Sequence, residues 1–225
     1  MKNNMLQNTT LKFLKDLSAN NHKEWFEAHR KQYESAKENF AETVDEIIAK
    51  HGKKDADIAT LKAKDCMFRI NRDVRFSKDK SPYKNNFGAS FNRGGKKSIF
   101  AGYYFHCEPG KSFAGGGLWM PEPEPMKKIR QEIDYNWDDF KKIIKSKKFV
   151  AEYGDLTKDE ETSLVREPKG YEKTNPAIDY IKLKCWIALK PISDKDLTGP
   201  DLIKKILSAF DALQPLVKFL NAAME

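Results

Sequence analysis

The stretch CMFRINRDVRFSKDKSPYKNNF, residues 66–87, opens with a strand-like alternation. Phe68, Ile70, Val74 and Phe76 fall on one parity, and Arg69, Asn71, Asp73 and Arg75 on the other. A period of two is what a strand with one face on a core requires. Arg72 breaks the pattern by falling on the apolar parity. Either a bulge re-aims it or a buried partner receives it. Ser77 to Tyr83 reads as a loop, because Ser81-Pro82 disfavours both helix and central strand. The stretch is thus expected to be the first strand and loop of a sheet.

Three further strand-like runs follow, at 87–91, 98–107 and 112–119. Asn92-Arg93-Gly94-Gly95 and Glu108-Pro109-Gly110-Lys111 join them as turns. Connections this short imply antiparallel neighbours, hence a meander. Upstream, Thr9 or Thr10 can cap a short helix carrying Leu11, Leu14 and Leu17. Asn21 and Glu24 form a capping-box-like pair ahead of a long helix. Its stripe is Trp25, His29, Tyr33, Ala36, Phe40, Val44 and Ile47 or Ile48, and Gly52 supplies its C-terminal cap. Residues 1–8 are polar and expected to fray. Downstream, helices are expected at about 125–134, from Asn136, and from 175 to 180, with residues 146–172 irregular and a strand at 183–189. A last helix opens near Thr198, and Pro215 should kink or split it.

The expected fold class is α+β: one domain over 1–225, with an antiparallel sheet of about five strands flanked by N-terminal, middle and C-terminal helices. The helical part spans about 9–52, the sheet part about 65–120, and the C-terminal helical part with one more strand about 121–225.

The net charge is +8, and its distribution is uneven. Residues 61–100 hold 11 Lys+Arg against 3 Asp+Glu, while the segments on either side are each neutral, so the whole excess lies around the opening stretch. Localised charge of this kind attracts anions if the fold keeps it together. Cys66, Cys107 and Cys185 are an odd number at wide spacing, which argues for a reducing compartment and against a disulfide framework. No apolar run reaches the ~18 residues of a membrane span, and the N-terminus lacks a signal core, so a cytoplasmic protein is expected.

Several blocks together resemble a known family. They are NNHKEWF at 20–26, FRINRDVRFSKDKSPYK at 68–84, GGGLWMP at 115–121, IRQEI at 129–133, PKGY at 168–171 and NPAIDYIKLK at 175–184. The chain resembles the domain-of-unknown-function family 2461, conserved hypothetical proteins of bacteria and fungi. The resemblance implies one domain and carries no established activity.

The candidate anion-binding residues are Arg69, Arg72, Asp73, Arg75, Lys78, Lys80, Tyr83 and Lys84. Arg offers a planar donor fork to phosphate or carboxylate, Lys a mobile point charge, and Asp73 can orient a fork. Gly94-Gly95 or Gly115-Gly116-Gly117 can add backbone N–H donors, although such glycines more often serve turns or close packing. Three readings stay open. A nucleic-acid surface would use the basic residues on phosphates and Phe76, Tyr83, Phe87 or Phe91 on bases. A pocket would take a small phosphorylated or carboxylated metabolite. A structural network would pair the arginines with Asp73, Asp79 or helix carboxylates. The concentration of charge places nucleic acid slightly ahead, without a recognised nucleic-acid motif. No Walker loop, nucleophile elbow, HExxH or dinucleotide fingerprint is present, so no reaction is assigned, and no cofactor or metal is expected. His106 and Cys107, being adjacent on a strand, point to opposite faces and make a poor metal pair.

Overall fold

The computed structural model describes residues 5–225. The chain is α+β, with one antiparallel sheet of four strands in the order β1-β2-β3-β4. These are β1 Phe87–Asn92, β2 Gly102–Cys107, β3 Phe113–Leu118 and β4 Trp186–Pro191. β2 and β3 fall within the strand-like runs read from sequence, and β1 matches the first run but extends one residue into the expected turn, to Asn92. The count of about five is corrected to four, because the opening stretch meets β1 only through the single bridge between Met67 and Ala89 and otherwise folds back on itself. No helix among the described residues is long and apolar enough to cross a membrane.

Two compact units are present. The first runs to Lys96 and includes Tyr104–Ala114 and Pro191–Leu207. Its helices are α1 (Asn8–Ala19), α2 (Lys23–Ala28), α3 (Arg30–His51), the single turn α4 (Ala63–Cys66) and α9 (Asp194–Leu197). The stripe of α3 is buried as expected, from Tyr33 through Phe40 and Val44 to Ile48. Phe40 lies 5.4 Å from Phe87 and 5.6 Å from Phe105, so α3 covers the inner face of β1 and β2. Burying aromatic rings of this size supplies much of the driving force for the contact.

Local details depart from the sequence expectation. The long helix is two helices, because His29 ends α2: its ring stacks on Trp25 at 4.0 Å and its Nδ1–H donates to the Trp25 carbonyl at 2.7 Å. Residue 7, not Thr9 or Thr10, caps α1; Thr10 Oγ1 instead donates to Asn39 Oδ1 at 2.8 Å. His22 caps α2 in place of Asn21. Residues 1–4 of the segment expected to fray lie outside the described residues, and the remainder is tied down. Leu6 is buried, and the Gln7 N–H and the Met5 carbonyl both meet Asn39. Gly52 follows α3 with right-handed backbone, and a Cβ there would meet Ala59 Cα at 2.8 Å, so close packing, not a left-handed cap, requires glycine.

The second unit comprises Lys97–Tyr103, Gly115–Lys190 and Ser208–Glu225. It holds α5 (Pro123–Tyr135), α6 (Trp137–Ile144), α7 (Lys147–Tyr153) and α8 (Ile178–Ile181). The segment expected to be irregular contains α7, started by the Ser146 side chain and fastened by Tyr153, whose O–H donates to the Ala209 carbonyl at 2.6 Å. Arg130, from the IRQEI block, donates to the carbonyls of Ile181 (2.8 Å) and Leu183 (3.0 Å), closing the C-terminal end of α8. The last helix, α10 (Leu202–Met224), runs through Pro215 unsplit. Buried Leu213, Leu216, Val217 and Leu220 anchor it on both sides of the proline.

Candidate functional site

The basic stretch is an irregular hairpin in the first unit. Met67 pairs with Ala89 and Asn71 with Tyr83, both antiparallel. Four steps on the first arm thus face six on the second, so residues 85–87 bulge opposite Arg69. Arg72 N–H donates to the Pro82 carbonyl at 2.9 Å, and Lys84 N–H to the Ile70 carbonyl at 2.8 Å. The bulge breaks the alternation expected from sequence. Ile70 is buried, but Phe68 is 38% exposed and Phe76 is 95% exposed.

The N-terminal block holds this hairpin in place. Asn21 Nδ2 donates to the Tyr83 carbonyl at 2.9 Å, and Tyr83 N–H donates to Asn21 Oδ1 at 3.1 Å. The amide side chain therefore acts as a short extra strand. Beside it the Tyr83 ring stacks on Phe26 at 4.0 Å and is buried. The NNHKEWF block and the basic block are thus joined in space through Asn21 and Phe26.

The candidate cations divide by what they touch. Arg72 is the hub of the loop: its guanidinium meets the Asp79 carboxylate, the Ser81 carbonyl at 3.1 Å and Ser77 Oγ at 3.3 Å. Its place on the apolar parity reflects this inward role. Hydrogen bonds from the Ser81 side chain and backbone, then from Arg72, hold the Asp79 carboxyl down to about 2. Arg75 grips Asp73 with two parallel bonds of 2.9 and 2.6 Å, which lower the Asp73 carboxyl below its usual range. Lys80 Nζ donates to the Val74 carbonyl at 3.0 Å. Arg69 and Lys78 are exposed and make no close ion pair with any described residue, although the Arg69 charge also helps lower the Asp73 carboxyl. Lys84 is half-buried, with Nζ 5.3 Å from the centre of the Phe68 ring. Burial, and then the like charge of Arg69, lower its ammonium below the ordinary lysine range.

The glycines do not join this group. Gly94 and Gly95 have φ of 80° and 88° and form the turn after β1. In β3, a Cβ on Gly115 would stand 2.0 Å from the Ala188 carbonyl oxygen, and one on Gly117 2.0 Å from that of Trp186. Close strand packing accounts for them.

Sequence reasoning missed the neighbouring face of β2. Tyr104, His106 and Glu108 share one parity and are all half-buried. Tyr104 Oη lies 3.3 Å from His106 Nδ1, and His106 Nε2 lies 3.0 Å from Glu108 Oε2. His106 stacks on Phe113 at 4.7 Å and 6°. Phe68 reaches this row as well, its ring 6.3 Å from that of Tyr104. Phe68 thus neighbours both the Lys84 ammonium and the Tyr104 ring. The signal was present as Tyr, His and Glu at alternate positions, which the strand period places on one face. Among the described residues no three His, Cys, Asp or Glu side chains gather as a metal set.

A family model described as a conserved hypothetical protein (DUF2461) matches residues 9–219. The chain belongs to this family. No curated protein and no solved structure matches it. For the DUF2461 chain, the blocks quoted from the sequence map onto the Asn21 clamp, the basic hairpin, the close-packed β3 glycines and the Arg130 cap.

Proposed function

We propose that the protein binds a small anionic molecule, bearing phosphate or carboxylate, at Arg69 and Lys84. One observation carries this reading: two neighbouring cations, one of them half-buried, without an ion pair on either. Partial burial of an ammonium beside a like charge is unfavourable until an anion completes the group. Arg72, Arg75 and Lys80 are engaged in building the loop and serve the ligand by holding the hairpin. The test is calorimetric titration with inorganic phosphate and pyrophosphate. Arg69→Ala and Lys84→Met should each weaken binding about tenfold or more, the loss of one charge-assisted bond. Lys78→Ala should leave it unchanged.

Nucleic acid is the second reading, favoured by Phe76, 95% exposed with the Arg75 guanidinium 5.8 Å from its ring centre. An oligonucleotide that binds tightly, with affinity falling steeply in salt and dependent on Phe76 and Lys78, would displace the first reading.

A further inference from the structure

We propose that Tyr104 is a catalytic nucleophile, activated by His106 and linked through Phe68, which neighbours both Tyr104 and Lys84, to the Arg69–Lys84 site, where it attacks a phosphate ester. The geometry is that of an activated nucleophile: a hydroxyl within reach of a base, and the base oriented by a third group. A carboxylate only accepts, so His106 donates from Nε2 to Glu108. In the tautomer with its proton on Nε2, Nδ1 is the acceptor for the Tyr104 O–H. Glu108 is itself pinned: its N–H donates to Ser112 Oγ at 2.9 Å, and Ser112 Oγ donates back to its carbonyl at 2.8 Å. Phe113 holds the imidazole flat. Gly88 leaves room for the phenol; a Cβ there would stand 2.3 Å from Tyr104 Oη.

In the step, a Tyr104 Oη–P bond forms as the P–O bond to the leaving alcohol breaks. The phenolic proton passes to His106 Nδ1, and from the imidazolium to the leaving oxygen. Water then cleaves the phosphotyrosyl bond by the reverse proton path, releasing phosphate and restoring the phenol. Arg69 and Lys84 stabilise the charge that develops on the phosphoryl oxygens. Burial, and then Glu108, push the phenol up to about 12, so its oxygen needs the neighbouring base to react near neutrality. The substrate class rests on the anion reading above; the nucleophile does not.

The test uses phenylmethanesulfonyl fluoride, which an activated phenol attacks with loss of fluoride, read by peptide mass spectrometry on the full chain. Tyr104 should be labelled at least ~10-fold faster than the exposed Tyr135, and Tyr104→Phe should remove the label. His106→Gln and Glu108→Gln should each slow it ~10-fold or more, with circular dichroism and the unfolding midpoint retained. Nitrogen chemical shifts should show the His106 proton on Nε2, and Glu108→Ala should release that tautomer, an effect specific to positioning. Labelling of Tyr104 no faster than Tyr135, or unchanged in His106→Gln, overturns the proposal. Arg69→Ala and Lys84→Met should weaken phosphate binding about tenfold or more without removing the label, so failure of the anion reading is separately visible.

Discussion

Asn21→Ala removes a clamp that works through two backbone bonds. In the native chain the Asn21 amide satisfies both the N–H and the carbonyl of Tyr83, at 3.1 and 2.9 Å, and also donates to Asn85 Oδ1 at 3.0 Å. A hydrogen bond contributes about 1 kcal/mol net, and more when a partly buried partner is left unsatisfied. Two backbone bonds in a part-buried setting therefore amount to about 2–3 kcal/mol. For a chain of this size, 1 kcal/mol shifts the unfolding midpoint by about 2–4 °C, so a fall of roughly 4–12 °C is expected. Urea unfolding followed by tryptophan fluorescence and circular dichroism gives the free energy, and amide exchange locates it. Protection should be lost first at Tyr83 and Lys84. Asn21→Asp, which keeps the acceptor but not the donor, should fall between. A loss below about 0.5 kcal/mol, or unchanged protection at Tyr83, would refute the clamp.

Gly117→Ala should cost about 3 kcal/mol or more, because the new methyl meets the Trp186 backbone and not a movable side chain; loss of soluble folded protein or a large drop in midpoint checks it. The Asp79 carboxyl is depressed from 3.8 to about 2, so the stability it lends the loop is complete above the unfolded value and is lost as pH falls from about 4 to 2. A carbon-detected titration of Asp79 should show this depressed midpoint, and Ser81→Ala should raise it. Burial pushes the Cys66 thiol up to about 12 and that of Cys185 to about 11, and all three cysteines are buried and unpaired. A disulfide reagent at neutral pH should therefore modify no cysteine in the native chain and all three in urea.

How much of this was legible depends on the range of the interactions involved. The α3 stripe, the runs containing β1 to β3 and their antiparallel order were readable, since periodicity and turn residues act within a few positions. The loop engagement of Arg72 and Arg75 was readable as one alternative, their partners Asp79 and Asp73 being seven and two residues away. The back-folding of the basic stretch was not, because it depends on Asn21, 62 residues from Tyr83. The α10 helix survives Pro215 for a related reason: buried side chains on both flanks outweigh one missing hydrogen bond, and propensity contains no term for them.

By itself the sequence determined the class of fold, the concentration of positive charge in residues 61–100 and the shared parity of Tyr104, His106 and Glu108, since each follows from composition or from the strand period. Only the tertiary structure decided which cations are spent on the loop and which stay available. It also brought Phe68 beside both Lys84 and Tyr104, because the bulge at residues 85–87 and a distant asparagine set the course of the hairpin.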